Sequence, residues 1–356
     1  MLLKRVIFRN LLRNCSTQHV EQKAAHVPVM TEEVLNFLKP NSNETETIID
    51  MTFGAGGHSR RLLEKFPNTK LIVLDRDPIA MHYADKLAEE FPFRVVPLLG
   101  RFSDLPVLLK SKGIKQNSVD NILFDFGCSS MQFDEAHRGF SVSAEGPLDM
   151  RMDGNRVPNS VTAADVLAKA TEEDLFKIIK FYGEEKQAKK IARAIVEARY
   201  LFKKLTTTKD LADLVESVCS EDHRLDKLRR KTHVATKTFQ ALRIFVNNEL
   251  NEINYGLLLA HRYLRVGGRV VTITFHSLED TIVKRQLMGN MIDNIVNPLP
   301  LKYMSHSDFV DEGLVKEVME SNWKMLHQHV IVPTLEEVEN NARSRSAKLR
   351  AAVKLK

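Results

Sequence analysis

Short apolar runs recur through the first third of the chain, beginning at Thr47 and again at 70–74, 93–98 and 119–124, each closed by glycine or polar residues. Runs of this length rich in Val, Ile and Leu predict strands buried on both faces. Between them, apolar residues fall at helical spacing over 31–38, 59–65 and 78–90, the first carrying Val34, Leu35 and Leu38 ahead of Pro40. Strand and helix alternate, so the pattern predicts an α/β fold on a parallel sheet. Over 141–234 the alternation stops. Helices are predicted over 171–182, 184–202 and 208–218, the last with Leu211, Leu214, Val215 and Val218 on one face. The core resumes with a long helix over 235–264, marked by Phe239, Leu242, Phe245 and Val246, and a fifth strand over 269–274 behind Gly267-Gly268. An all-helical domain is therefore expected at 141–234, inserted between core segments 23–140 and 235–356. Residues 289–322 carry no periodic pattern, 330–332 reads as a further edge strand, and 341–350 reads as a basic, Ser-rich tail.

The first strand breaks into Gly54-Ala55-Gly56-Gly57-His58-Ser59, a glycine-rich turn that opens a helix. Glycine admits positive φ and lets a ligand approach the backbone, while a helix start aims free N–H groups at it. The dinucleotide spacing G-x-G-x-x-G fails only at Ser59. The second strand ends in Asp75, about 20 residues past the first glycine, where such folds place a carboxylate on ribose hydroxyls. A plain tight turn and an ordinary surface aspartate explain each feature singly; together they predict a nucleotide-like cofactor held by Gly54, Ala55, Gly56, Gly57, His58 and Asp75. Phe102, just past the third strand, is placed either to stack on an adenine or to fill the core. Two more polar turns, 125–132 and 275–280, end the fourth and fifth strands at the same edge, where open α/β sheets bind ligands.

Composition narrows the class. At 356 residues and 43% hydrophobic, the chain can bury one core plus a large insertion. Its longest apolar runs fall far short of the roughly 18 residues that cross a bilayer, so no membrane partner is expected. Cys15, Cys128 and Cys219 are odd in number and widely spaced, which speaks against a disulfide framework and a zinc site; no metal is expected. Residues 1–20 hold Lys4, Arg5, Arg9 and Arg13 and no acid, the pattern of a mitochondrial presequence, expected over 1–22 and addressing the chain to the matrix; the alternative is an ordinary basic tail. The net charge of +6 decides little by itself. Lys186, Lys189, Lys190 and Arg193 share a helical face, however, and Arg224, Lys227, Arg229, Arg230, Lys231 and Lys237 form a second basic block. A solvated face is one account of them; RNA contact is the other.

The segments Thr52-Phe53-Gly54-Ala55-Gly56-Gly57-His58-Ser59, Gly139-Phe140-Ser141, 146–153, Tyr182-Gly183-Glu184-Glu185, 238–243, Asn248-Glu249-Leu250, 275–280 and Arg343-Ser344-Arg345-Ser346 together resemble the MraW/RsmH family, in family order over about 26–350. The resemblance, with the presequence, implies a mitochondrial member: a class I Rossmann-like S-adenosylmethionine methyltransferase with an inserted helical RNA-recognition domain, acting on the N4 of a cytidine in small-subunit (12S) ribosomal RNA and so supporting mitoribosome assembly and translation. It implies that Gly56, Gly57 and His58 hold the methionine end of the cofactor and Asp75 the ribose. Phe102 would flank the adenine, and Asp125 and Gln132 would line the transfer side. The family's usual Asp-Leu-Gly-Val-Ser-Ser is here Asp125-Phe126-Gly127-Cys128-Ser129-Ser130, which changes apolar bulk and keeps the polar atoms.

Cytosine N4 is a poor nucleophile because its lone pair is delocalised into the ring, whereas a sulfonium methyl is already activated. Alignment can supply up to roughly 7–11 kcal/mol, more than the 10²–10⁴-fold typical of a proton acceptor. Asp125 is the expected acceptor for the amine hydrogens, with Ser129, Ser130, His276 and Ser277 as candidates to assist or to relay the proton; turn-forming and capping roles are the alternative for these four. Partners expected are the ribosomal RNA or its assembling subunit, with a ribosome-assembly factor as a further partner. Two other readings remain: an RNA-binding assembly factor that retains the cofactor pocket without turnover, and a nicotinamide oxidoreductase on a similar sheet.

Overall fold

The computed structural model describes residues 28–40, 45–201, 204–219, 233–288 and 321–356. The expected presequence, the basic residues Arg224, Lys227, Arg229, Arg230 and Lys231, and most of the unpatterned 289–322 lie outside the described residues.

Helix α1 (Thr31–Phe37) leads into β1 (Glu46–Asp50), then α2 (Gly57–Lys65), β2 (Thr69–Asp75), α3 (Pro78–Glu90), β3 (Val95–Leu99), α4 (Leu105–Ser111), β4 (Val119–Asp125) and α5 (Ser130–Asp134). The helices α6 (Ala163–Lys169), α7 (Glu172–Gly183), α8 (Ala188–Tyr200) and α9 (Thr208–Val218) follow, then α10 (Thr236–Asn247), α11 (Glu249–Tyr263), β5 (Leu264–Thr274) and α12 (Ser277–Met288). The chain closes with β6 (Trp323–Met325), α13 (Leu335–Asn340) and β7 (Lys348–Lys354).

The strands form one sheet in the order β3-β2-β1-β4-β5-β7-β6. The first five run parallel, and β1 and β4 flank the point where the order reverses. Side chains alternate between faces, as a two-residue period requires. Ile48, Leu71 and Val73 pack with α1, α2 and α3, while Ile49, Ile72 and Leu74 pack with α4, α11 and α12. A separate apolar cluster joins the helices α6 to α10. Phe239, Ala241 and Leu242 of α10 belong to that cluster, so the helical layer draws on sequence from both sides of the basic block at 224–231.

Four expectations are corrected. The sheet is mixed rather than wholly parallel, because β7 adds antiparallel to β5 and β6 to β7. β7 begins within the stretch 341–350 read as a basic tail. Leu349 and Ala351 face one layer and Ala352 the other, while Lys348 and Arg350 pair with Asp280, so charged residues share a strand with a buried alternation. The long helix at 235–264 is two helices, broken at Asn248 with φ +52. Asparagine tolerates the left-handed region, and the break is held by Asn247, whose side chain accepts from Met152 N at 2.8 Å and donates to Met150 O at 2.7 Å. The expected strand at 330–332 is a single bridge, Ile331 to Leu349.

Candidate active site

The glycine turn follows β1. Gly56 caps α2 with φ +82, and a Cβ there would stand 2.7 Å from Phe53 Cζ, so glycine is required for both reasons. The helix begins at Gly57 rather than Ser59. Ser59, standing where the dinucleotide pattern has its last glycine, is buried and donates its hydroxyl to Asp50 Oδ2 at 2.7 Å. Gly54 N donates to Asp75 Oδ2 at 2.7 Å and Asp77 N to Asp75 Oδ1 at 2.8 Å. A carboxylate offers about four lone pairs, so Asp75 keeps acceptor capacity for a ligand. His58 is buried, with Nε2 2.9 Å from Val29 O. A carbonyl only accepts, so Nε2 carries the proton and Nδ1 faces Asp125 Oδ2 at 3.7 Å.

Asp125 ends β4 on the other side of the switch point. Its N–H donates to Thr52 Oγ1 at 2.6 Å, which ties the two turns together. Its Oδ1 is buried without a hydrogen-bond partner. Burial, with the charges of Asp50 and Glu279 nearby, pushes the carboxyl up to about 8. Burial also pushes Asp50 and Asp75 up to about 6, against the hydrogen bonds that favour their charged forms. Ser129 lies beside Gly54, whose missing Cβ would stand 3.6 Å from Ser129 Cβ; the Ser129 hydroxyl is buried and also lacks a partner.

β5 brings the third turn to the same edge, since Asp125 pairs in register with Ile273 and Phe275 stands beside Gly127. His276 Nε2 lies 2.9 Å from Glu279 Oε1, yet neither ring nitrogen makes a hydrogen bond of good geometry. Glu279 is fully buried. Burial opposes its charge, but His276 and Arg243 hold its carboxyl below the usual range. Arg243 in turn grips Glu249 through Nε and Nη2, both at 2.9 Å, and donates to Cys128 Sγ at 3.0 Å. Burial pushes the Cys128 thiol up to about 11, so it is an inert neutral group.

The remaining candidates separate. Gln132 is buried, but its amide donates to Asp77 Oδ2 at 2.9 Å and accepts from Ser129 N at 3.2 Å, so it braces the Asp125 turn. Phe102 packs edge-on against Phe124, centroids 5.5 Å apart, half-buried against the core. Ser130 opens α5, and Ser277 is exposed with its hydroxyl donating to Glu184. Lys186, Lys189, Lys190 and Arg193 are exposed, and Arg193 donates to Glu197 at 2.7 Å. Sequence reasoning missed the supports: Asp50, Thr52, Arg243, Glu249 and Glu279. It also missed Asp153, buried among Arg76, Arg101 and Arg156, whose guanidinium groups overcome burial and hold its carboxyl down to about 2. Of these, Thr52, Arg243, Glu249, Glu279 and Asp153 stand within the family-like segments. Their pairing depends on residues up to 115 positions apart, as between Arg243 and Cys128, which no spacing reveals.

A model of the MraW methylase family matches residues 23–355. A methyltransferase-like protein 15 homolog of Drosophila melanogaster is 60% identical over 333 residues, covering 93% of each chain. The 12S rRNA N(4)-cytidine methyltransferase METTL15 of Homo sapiens is 46% identical over 339 residues, 93% of this chain and 83% of that one. A Culex quinquefasciatus protein named as receptor-type tyrosine-protein phosphatase mosPTP-1 is 58% identical over 330 residues, and this chain spans 22% of its length.

Proposed function

The chain belongs to the MraW methylase family, and from that premise we propose that it transfers a methyl group from S-adenosylmethionine to the exocyclic N4 of a cytidine in mitochondrial small-subunit ribosomal RNA, within the matrix. The observation that carries the reading is that Asp125 Oδ1 and the Ser129 hydroxyl, buried and without hydrogen bonds, stand past the end of β4 beside a glycine turn, with the His276 ring against Glu279 past the end of β5. Buried polar atoms are almost always paired, so a set left open at a switch point marks a ligand site.

The residues present fit the cofactor. It carries a sulfonium and an ammonium, and Asp50, Asp75 and Asp125 crowd three carboxyl groups whose ionisation burial opposes; a cation relieves that cost. Gly54 and Gly56 leave the backbone open, Asp75 retains lone pairs for ribose hydroxyls, and Phe102 supplies an apolar edge for the adenine. When bound, S-adenosylmethionine supplies an activated methyl group.

The chain's own residues then align and desolvate the acceptor. Asp125 Oδ1 accepts a hydrogen bond from the N4 amine, drawing its lone pair out of conjugation with the ring. Ser129 offers a second polar contact. His276, held against Glu279, accepts the proton released once nitrogen gains the methyl. Thr52, Gln132 and the Arg243–Glu249 pair fix these groups, so alignment carries the larger share of the barrier. Lys186, Lys189 and Lys190, with the basic block that includes Arg229, Arg230 and Lys231, supply phosphate contacts.

The test is nucleoside mass spectrometry of mitochondrial small-subunit RNA from cells with and without the protein. N4-methylcytidine should disappear in its absence and return with the wild type but not with Asp125→Ala. Full restoration by a folded Asp125→Ala protein would remove Asp125 from the mechanism, and an unchanged nucleoside level would favour a non-catalytic assembly role.

A further inference from the structure

Tyr182 at the end of α7 and Phe245 on α10 wall a cavity of ≈ 110 Å³, closed by Ile244, Asn248, Leu250 and Asn251. The two rings stand 6.4 Å apart, centroid to centroid, and 30° from parallel. On their outer side the cavity runs into a groove lined by Ile178 and Phe181, the latter 62% exposed. Aromatic surface of this kind on the outside of a protein calls for a planar apolar occupant. The floor is polar in a particular way. Asn251 Nδ2 donates to Asn248 Oδ1 at 2.7 Å, which leaves Asn248 Nδ2 and Asn251 Oδ1, one donor and one acceptor, without hydrogen bonds among the described residues.

We propose that this cavity binds a second, non-reacting nucleobase of the RNA, stacked on Tyr182 and Phe245 with its edge read by Asn248 and Asn251. The proposal rests on the reading of RNA as substrate and adds a subsite to it. The occupant is not the reacting cytosine, because the lining comes from α7, α10 and α11 and includes none of the turns that carry Gly54, Asp125 or His276. The elements that line the cavity are nonetheless tied to that edge. Glu184, two residues beyond Tyr182, accepts from the Ser277 hydroxyl, and the carbonyl of Asn247 accepts from Arg76 Nη1 at 2.9 Å, one residue past Asp75. These two contacts hold the opening on the same side of the molecule as the Ser277 turn and the end of β2, within reach of a strand bound there. Charge fits as well. Lys180, Lys186, Lys189 and Lys190 are exposed on α7, on α8 and between them, while at the outer lip Lys177 pairs with Glu173 and the Asp174 carboxylate accepts from the Thr171 hydroxyl at 2.7 Å. Aromatic platforms beside a cationic track are how single-stranded nucleic acid is held, because every base has a π-face.

The test compares a short fluorescent single-stranded RNA with an abasic ribose-phosphate strand of equal length, so that the phosphates are the same and only the bases differ. Wild-type protein should prefer the base-bearing strand. Tyr182→Leu and Phe245→Leu should each weaken that strand roughly 10-fold, leave the abasic strand unchanged, and leave the slope of log affinity against log salt unchanged, because no phosphate contact is lost. Phe245→Trp, which keeps a stacking face, should bind as the wild type does. Equal losses on both strands, or no loss on either, would overturn the proposal and leave the cavity to a protein or structural role. The outcome is separable from that of the reaction itself: base-dependent binding that falls in the two Leu variants upholds the subsite even if the wild type transfers no methyl. Methyl transfer with unaltered RNA affinity in those variants removes the subsite and leaves the reaction standing.

Discussion

Ionisation of Asp125 should govern how tightly the site holds a cation. Its carboxyl is pushed up to about 8 by burial and by the charges of Asp50 and Glu279, so at neutral pH it is mostly protonated. The groups around it are His58 Nδ1 at 3.7 Å, the Thr52 hydroxyl on its amide, Asp50 and Glu279. A bound sulfonium favours the anion, so binding expels a proton. From about pH 7 to about pH 9 the ionised fraction rises from about one tenth to about nine tenths, which predicts about a tenfold gain in cofactor affinity, or about 1.4 kcal/mol. Asp50 and Asp75, near 6, lie below this window and contribute little within it. Calorimetry in buffers of different ionisation enthalpy reads both the affinity and the proton released. The cofactor's own amine titrates in the same range, and subtracting the profile of Asp125→Asn removes it. Stability follows the same linkage. A carboxyl raised in the folded state contributes stability that is present below the ordinary carboxylate range and lost as pH rises through about 8, so the ligand-free melting temperature should fall across this window and the cofactor should restore it. Parallel affinity profiles for the wild type and Asp125→Asn would refute the assignment.

Gly56→Ala should lose cofactor binding and melt earlier, because the left-handed backbone costs about 1–2 kcal/mol with a Cβ and that Cβ meets the Phe53 ring at 2.7 Å; calorimetry and thermal melts check both, and unchanged cofactor affinity in a folded variant would sink the role of the turn. Asp153→Ala leaves Arg76, Arg101 and Arg156 facing one another without their shared carboxylate, and should cost about 3–5 kcal/mol in urea unfolding. Because the Asp153 carboxyl is held down to about 2, its contribution persists at neutral pH and is lost only as pH falls toward that value, so wild type and variant should converge in strong acid.

Residues 46–125 were legible in the sequence because their chemistry is local. Strands buried on both faces must be continuously apolar, and a turn that receives a nucleotide must be glycine-rich, so β1, β2, the 54–58 turn and Asp75 stood out by period and spacing. The break at Asn248 was not legible. Helical periodicity continues across it, and the reason for the break lies in Asn247 binding Met150 and Met152 nearly a hundred residues away. β7 was hidden for a related reason: Lys348 and Arg350 make its text polar, and only the distant carboxylate of Asp280 gives those charges a place beside a buried alternation. The sequence by itself determined which residues could do chemistry and that three turns share one edge of a sheet. Tertiary structure alone decided which polar atoms stay unpaired there and how far Asp125 is shifted. It also brought the Tyr182 and Phe245 rings together at one opening. Desolvation and hydrogen-bond satisfaction are sums over neighbours in space, and chain order does not contain them.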